Sequence, residues 1–235
     1  MTQLQDHARA RYATAGSANF SIMLADLAVV VILSNIGASK GVVIGPIIGD
    51  FSIITDGGFF LFPLAYIIGD VISEVYGFKA ARLGIIVTFV LSVFASLAYA
   101  VIIALPGFDD DFGLAKQEAL ELALGPVPLI VLASLLGFVV GQTLNSLVLV
   151  RMKSRFGERS MVARLIASTG VGEFADTLIF CAIAASVIGI TDFPTFLNYL
   201  FFGFVYKTLV EVLLLPVTTA AIRWVKRREP SYAAA

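Results

Sequence analysis

Long apolar stretches alternate with short polar segments along almost the whole chain. Six of the stretches are long enough to cross a bilayer, which takes about 20 apolar residues in a helix. They cover residues 18–39, 58–76, 83–105, 127–150, 162–190 and 195–224. The pattern therefore predicts an all-α polytopic membrane protein with six transmembrane helices. The last two stretches exceed the minimum length, so they are expected to tilt, kink or extend past the lipid.

Basic residues collect on alternate polar segments, and this asymmetry orients the helices. Thirteen of the 16 lysines and arginines lie before the first span, between the second and third, between the fourth and fifth, or after the sixth, if Arg164 and Arg223 at the adjoining ends of the fifth and sixth spans are counted with these flanks. Cytoplasmic flanks are enriched in Lys and Arg, so both termini are expected in the cytoplasm. The chain then divides into an N-terminal tail (1–17), a six-helix membrane domain (18–225) and a C-terminal tail (226–235). The loop at 40–57 is expected outside, with a short amphipathic or re-entrant piece, and so is the acidic loop around 109–111.

Composition agrees with a membrane protein and removes several function classes. The chain is 59% hydrophobic and 14% charged, whereas a soluble domain has about 25% charged residues. Its net charge of −1 gives no reason to expect a nucleic-acid partner. The single histidine, His7, lies in the N-terminal tail. A zinc protease or a Ser/Cys hydrolase in the membrane needs histidine there. We therefore expect neither an enzyme nor a metal or cofactor site.

Apart from Arg164 and Arg223 at the ends of their spans, seven ionisable residues lie within the predicted spans, where charge is costly and usually functional. Six are acids and one is basic: Asp26, Asp70, Glu74, Glu173, Asp176, Glu211 and Lys207. A purely structural role would favour balanced pairs. The surplus of acids favours protonated carboxylates, a cationic ligand or a ligand rich in hydrogen-bond donors, and it also permits proton coupling.

The spacing of these residues predicts a shared polar cavity. Residues three or four apart share a helix face. The pattern joins Phe62, Tyr66, Asp70 and Glu74 in the second span, Gln142 and Asn145 in the fourth, Glu173 and Asp176 in the fifth, and Lys207 and Glu211 in the sixth. At about 1.5 Å per residue, Asp70, Glu173, Asp176 and Lys207 all reach the middle of the membrane. The remaining polar residues lie nearer the cytoplasm.

Structural roles stay open for some of these residues. Lys207 and Glu211 also have the spacing of an intrahelical ion pair. Gln142 and Asn145 are residue types that often form hydrogen bonds between membrane helices. Glu74 precedes the helix end and has Lys79 or Arg82 as alternative partners. The glycines of "GFVVG" at 137–141 are typical of close helix packing.

Four blocks of the sequence resemble the queuosine precursor transporter family, also described as vitamin uptake transporters of the bacterial inner membrane. They are "FPLAYIIGDVISEVYGFKAAR" (62–82), "GQTLNSLVLVRMKSRFG" (141–157), "RLIASTGVGEFADTLIFCAIA" (164–184) and "YKTLVEVLLLPV" (206–217). The end of the first span, "SNIGASK" at 34–40, is similar to the family as well and adds Asn35 and Lys40 to the candidates. The resemblance implies uptake of a 7-deazaguanine (queuine, preQ0 or preQ1) for tRNA queuosine modification.

The candidate residues fit the chemistry of such a base. We expect Glu173 and Asp176 to accept from its N–H groups, with Asp70 completing the site. Its carbonyl needs a donor such as Lys207, Gln142 or Asn145, and its ring can stack on Phe62, Tyr66 or Tyr206. Glu74, Glu211 and Asn35 are further candidates. The expected partners are this small molecule and the bilayer, with a homodimer left open.

Two other kinds of protein remain as alternatives. One is a substrate-binding component of an energy-coupling-factor importer, or a carrier of another vitamin or nucleobase-like solute. The first span, however, lacks the tidy pair of alanines with which such components dock to their partners. The other is a membrane receptor or scaffold that binds without transporting. Transport by the protein alone in vesicles distinguishes these alternatives from a self-sufficient carrier.

Overall fold

The computed structural model describes residues 11–38, 41–48, 51–125, 128–158, 160–184 and 191–233. These ranges contain eight α-helices and one pair of strands. In chain order they are α1 (Ala18–Gly37), β1 (Gly41–Ile48), β2 (Phe51–Asp56), α2 (Phe62–Tyr76), α3 (Phe78–Ala104), α4 (Asp111–Leu124), α5 (Pro128–Phe156), α6 (Met161–Ala184), α7 (Phe193–Arg228) and α8 (Pro230–Ala233). The chain is therefore mainly helical, as its apolar pattern predicts.

Five of the described helices are long and apolar enough to cross a membrane. The crossing segments are Ala18–Gly37, Phe78–Ala104, Leu132–Phe156, Met161–Ile183 and Tyr199–Arg228. Their outward faces are apolar, and on α3 the side chains of Phe94, Leu97 and Val101 are all more than 60% exposed. Exposed apolar surface of this extent is what lipid-facing helices present. Part of the predicted fifth span, residues 185–190, lies outside the described residues.

The predicted second span is shorter than expected. Helix α2 has 15 residues, or about 22 Å of length against the roughly 30 Å of a bilayer core. Residues Gly57–Phe60, which the sequence assigned mostly to this span, form a turn of 3₁₀ helix. Pro63 lies in the first turn of α2, where its missing N–H has no helical acceptor. Gly77, at φ 81°, then ends the helix. Where the sequence predicts six spans, the described residues thus contain five long helices and this short one.

The segment after α1, expected to contain a short amphipathic or re-entrant piece, forms a β-hairpin. Strand β1 pairs antiparallel with β2, from Gly41 opposite Asp56 to Ile48 opposite Phe51. The segment is rich in Val, Ile and Thr, which favour strands, and pairing satisfies those backbone groups that face the partner strand. At its base Gly37 and Gly57 touch so closely that a Cβ on Gly57 would lie 2.7 Å from the Gly37 carbonyl oxygen.

The acidic loop contains a helix. Asp110 caps α4 by accepting a hydrogen bond from the Gly113 amide at 2.7 Å, and Asp111 lies in the first turn. Both positions favour negative charge, because the helix dipole presents its positive end there. The Gln117 amide donates to the Ile103 carbonyl at 2.8 Å and ties α4 to the end of α3. The "DDD" run thus starts a short helix in the connection between α3 and α5.

The two ends of the described chain meet at one end of the bundle. The Ala13 amide donates to the Val75 carbonyl at 2.8 Å, and the Thr14 amide donates to Ser231 Oγ at 3.1 Å. Glu229, which is buried, accepts through Oε1 from groups of both α1 and α2. Its donors are Ser17 Oγ (2.7 Å), Asn19 Nδ2 (2.8 Å) and Tyr76 OH (2.8 Å). These contacts place the N-terminal segment beside α8.

Helices α5 and α6 pack through glycine. A Cβ on Gly137 would lie 2.8 Å from Asp176 Oδ1, and a Cβ on Gly172 would lie 2.7 Å from the Asn145 Cβ. A Cβ on Gly141 would lie 2.7 Å from the Gly172 carbonyl oxygen. The absence of side chains lets the two backbones approach as in other small-residue helix contacts. The "GFVVG" motif therefore serves close packing, and it brings the polar residues of α5 and α6 together.

Candidate functional site

Most of the polar residues singled out in the sequence meet inside the bundle, where α2, α5, α6 and α7 face one another. We call this set the central cluster. Its members are Phe62, Tyr66 and Asp70 of α2, Gln142 and Asn145 of α5, Glu173 and Asp176 of α6, and Lys207 and Glu211 of α7. Except for Lys207 all are buried. The spacing argument thus predicts the right helix faces, because each pair three or four residues apart points into the same interior.

Asp70 is held by a residue of the opposite helix. Asn145 Nδ2 donates to Asp70 Oδ1 at 2.7 Å, and both side chains are buried. One turn further along, Ser73 and Ser146 bond through their hydroxyls at 2.8 Å. Gln142 packs against α2 at Gly69. A Cβ atom on residue 69 would collide with the side-chain amide of Gln142. Asn145 therefore joins α2 to α5 and orients the Asp70 carboxyl group at the same time.

Lys207 pairs across the helix interface rather than along its own helix. Its Nζ lies 2.7 Å from Asp176 Oδ2 and 3.9 Å from Glu173 Oε2. It also lies 4.4 Å from the centre of the Phe62 ring, within the range of a cation–π interaction. This arrangement favours a cross-helix role for Lys207 over the intrahelical pair with Glu211. Its side chain keeps 16% of its surface exposed.

Glu211 lies beside Glu173. Thr169 Oγ1 donates to Glu211 Oε2 at 2.7 Å, and the negative charge of Glu173 acts on Glu211 across the interface of α6 and α7. The chain therefore places two acids side by side in the interior of the bundle.

Many polar atoms of this region have no hydrogen-bond partner among the described residues. They are Tyr66 OH, Gln142 Oε1, Asn145 Oδ1, both carboxylate oxygens of Glu173, Glu211 Oε1, Thr177 Oγ1 and Thr208 Oγ1. All are buried, and an unpaired buried polar group costs about 1–3 kcal/mol. Five of the eight atoms are carboxylate or amide oxygens, which only accept. The arrangement is suited to a ligand that brings N–H or O–H donors.

The aromatic side of the cluster comes from α2 and α5. The Phe62 ring lies 5.8 Å from the Tyr66 ring and 6.3 Å from the Phe138 ring, the latter edge to face. The spacing of the sequence predicts Phe62 and Tyr66 of α2 as part of the cluster. It does not single out Phe138, because nothing distinguishes this residue from other apolar residues of a spanning helix. Tyr206 is only partly buried on α7.

Glu74 belongs to a second group of charges, one turn beyond Asp70. Its Oε1 lies 2.7 Å from Arg164 Nη2, 2.9 Å from Lys226 Nζ and 3.3 Å from Lys153 Nζ. Lys153 and Lys226 also pair with Glu158, at 3.1 and 2.7 Å. The expected partners Lys79 and Arg82 are replaced by these three, because α5, α6 and α7 bring their basic ends onto α2. We call these five residues the basic latch.

The two tails cover the basic latch. Tyr232 OH donates to Glu158 Oε1 at 2.7 Å, and Lys153 Nζ lies 4.6 Å from the centre of the Tyr12 ring. Burial alone would raise the pKa of Glu158, but hydrogen bonds from Lys226 and Tyr232, with the charge of both lysines, lower it to about 2. The sequence gives no signal for this latch, since its basic residues look like ordinary cytoplasmic flanks.

Asn35 lies apart from both groups. Its Oδ1 accepts from Ser134 Oγ at 2.5 Å, which joins α1 to α5. It also lines a cavity of about 20 Å³ with residues of α1, α3 and α4, too small for anything but a water molecule. Lys40 lies outside the described residues. No group of three or more potential ligands is arranged for a metal ion in the described part of the chain.

The long apolar helices and the buried polar interior define a multi-pass membrane protein built around internal charges. A family model described as "Putative vitamin uptake transporter" matches residues 56–221. Over 164 residues the chain is 30% identical to the "Probable queuosine precursor transporter" of Bacillus subtilis (strain 168), covering 69% of each chain. No solved structure gives a significant match.

The chain therefore belongs to the vitamin uptake transporter family, a family of transporters and not of enzymes. The match begins just before α2 and ends within α7, so it contains every residue of the central cluster. The resemblance seen in the sequence is confirmed, and so is a multi-pass membrane protein. A bacterial inner membrane is consistent with the bacterial relative.

Proposed function

We propose that this transporter imports a 7-deazaguanine base, such as queuine or one of its smaller precursors, and holds it in the central cluster. The observation that carries the proposal is the row of buried, unpartnered acceptor atoms on α2, α5, α6 and α7. A deazaguanine presents several N–H donors on one edge and a single carbonyl acceptor. The name of the Bacillus relative, a probable queuosine precursor transporter, points to the same class of solute.

Each part of the cluster has a role in this proposal. Glu173 and Asp176 accept from adjacent N–H groups of the base edge, as acidic side chains do from base amines. Lys207 gives one of its three N–H groups to the base carbonyl while it keeps its contact with Asp176. Asp70, held by Asn145, completes the polar wall, and Phe62 with Tyr66 lies against the flat ring.

The proposed path runs from outside to the cytoplasm through a six-crossing domain at 18–225, with both tails inside. The basic latch joins Glu74 of α2 to α5, α6 and α7 at the end of the bundle where the tails meet. In this form it closes that end, and release of substrate requires these ion pairs to part. Asp70 and Glu74 therefore have different tasks, one at the site and one at the exit.

The test is rescue of tRNA queuosine in a strain that cannot make the precursors. The strain expresses this protein and is fed each candidate base in turn, and queuosine in tRNA is measured by mass spectrometry. Glu173→Gln and Asp70→Asn are expected to lower rescue at least tenfold, because each weakens an acceptor at the site. Asp26→Asn is the matched control: it removes an exposed acid of α1, outside the cluster.

Two results would overturn the proposal. One is rescue by both cluster variants at the wild-type level and equal expression. The other is failure of the wild type to rescue with any of the bases. Uptake by the purified protein alone in vesicles separates a self-sufficient carrier from a component of a larger importer.

A further inference from the structure

A cavity lies beside the basic latch, where α6 begins and α7 ends. Its volume is about 430 Å³, and its lining consists of Glu158, Ser160, Met161, Val162, Arg223 and Lys226. At about 30 Å³ per water molecule, this space has room for roughly fourteen waters. Both helices contain membrane-crossing segments, Met161–Ile183 and Tyr199–Arg228. The cavity therefore lies at the level of the membrane surface, at the end of the bundle where the tails meet.

The charges around this cavity favour an anion. Arg223 is exposed and forms no ion pair with any residue that the structure describes. Glu158, the acid in the lining, already pairs with Lys226 at 2.7 Å and with Lys153 at 3.1 Å. The basic latch holds three cations against two acids, and Arg223 adds a further positive charge beside it. The cavity therefore has an excess of positive charge.

The surface next to the cavity is apolar. Val162 lines the cavity and Ile166 lies four residues further along the same face of α6, and both side chains are exposed. Trp224, the neighbour of Arg223, is half exposed, and tryptophan is enriched where a membrane meets water. The site thus combines cations at the membrane surface with an apolar face that leads into the lipid.

We infer that this cavity binds the headgroup of an anionic phospholipid and that Arg223 holds its phosphate. The arginine fork suits two parallel hydrogen bonds to phosphate oxygens, and basic pockets between membrane helices are known sites for anionic headgroups. A free phosphate ion would use the same donors but gain nothing from the apolar face, where the acyl chains of a lipid lie. Lys226 belongs to both the cavity and the latch, so the bound phosphate also balances the surplus charge of the latch.

The experiment uses Trp224, the single tryptophan of the chain, as a reporter beside the site. The purified full chain is placed in phosphatidylcholine vesicles with increasing fractions of brominated phosphatidylglycerol or brominated phosphatidylcholine, and quenching of its fluorescence by bromine is measured. Phosphatidylglycerol should bind about fivefold more tightly, the effect of one basic residue near an anionic lipid. Equal quenching by the two lipids would overturn the inference.

Two matched variants locate the preference. Arg223→Gln removes the charge of the cavity and should bring the two quenching curves together. Arg82→Gln removes an exposed charge near the start of α3, at the same end of the bundle, and should keep the wild-type preference. Equal losses in both variants would show a diffuse attraction to the whole basic end and would overturn the site, as would an unchanged preference in Arg223→Gln.

Soluble competitors distinguish a lipid from a free anion. Inorganic phosphate at constant ionic strength should leave the preference unchanged, whereas its loss would assign the cavity to a free anion and overturn the lipid. In detergent, short-chain phosphatidylglycerol should raise the unfolding temperature of the wild type more than short-chain phosphatidylcholine does. This last comparison decides the question without a variant should Arg223→Gln not fold, and equal temperatures would contradict the inference.

Discussion

At the scale of single residues, two acids one turn apart on α2, Asp70 and Glu74, lie in different surroundings. Asp70 faces an asparagine and further acids, whereas Glu74 faces three cations. Their spacing predicts that both point into the bundle, but spacing carries no information on which residue of another helix arrives opposite. That choice depends on the rotation and depth of α5, α6 and α7, which are set by packing. Glu74 is for this reason better explained as part of the basic latch than of the site.

Glu158 of the latch predicts an acid-induced loosening. Its folded-state pKa of about 2 lies below the ordinary value of 4.5, so its contribution to stability is complete above about pH 4.5. That contribution is lost as the pH falls from about 4.5 to 2. The single tryptophan, Trp224, lies two residues from Lys226 and reports on this region. Its fluorescence should change between pH 4.5 and 2.

Glu158→Gln isolates the residue responsible for this change. The variant should show a smaller fluorescence change in the same pH window, since the glutamine side chain does not titrate. Glu118→Gln, on the exposed surface of α4, serves as the control and should behave like the wild type. A full-sized transition in Glu158→Gln would assign the titration to another group, such as Glu229.

At the scale of elements, the long helices follow from apolar pattern alone, but α2 and the hairpin do not. A window of about 20 residues merges "GGFF" with the helix that follows, because glycine and phenylalanine are both compatible with a span. Glycines, however, weaken an α-helix and here permit a 3₁₀ turn. In β1 and β2 the β-branched residues decide in favour of strands, a preference that a hydropathy window does not register.

The glycine contact between α5 and α6 predicts opposite effects for two neighbouring substitutions. Gly172→Ala would place a methyl group 2.7 Å from the Asn145 Cβ and 2.8 Å from the Gly141 carbonyl oxygen. The helices must then separate, and overpacking of this kind costs about 1–3 kcal/mol. Gly170→Ala meets no atom within 4 Å and should stabilise the helix by about 0.5–1 kcal/mol.

Thermal unfolding in detergent checks this pair of predictions. Gly172→Ala should unfold at a lower temperature than the wild type and transport poorly, because Tyr66 and Asn145 lose their positions. Gly170→Ala should unfold at an equal or higher temperature and transport normally. Equal unfolding temperatures for the two variants would contradict the close packing of α5 on α6.

At the scale of the whole molecule, the joined tails constrain the number of crossings. Contacts such as Thr14 to Ser231 put the two described ends at the same end of the bundle, which requires an even number of crossings. Five of the described helices are long enough to cross the membrane by themselves. We propose that helix α2 with its preceding 3₁₀ turn, together about 30 Å long, is the sixth crossing. The charge asymmetry of the loops gives the same count from an independent property.

Cysteine labelling in cells tests whether α2 crosses. Cys181 is the only cysteine, so Cys181→Ser provides a background for single additions at Asp109, between α3 and α4, and at Ser231, in α8. A membrane-impermeant maleimide should label the Asp109→Cys protein in intact cells, and the Ser231→Cys protein only after permeabilisation. If α2 returned without crossing, α1 and α3 alone would bring position 109 back to the side of the tails. Labelling of both positions from the same side would therefore reject the six-crossing path, whereas labelling of Ser231→Cys alone from outside would keep the path and invert its orientation.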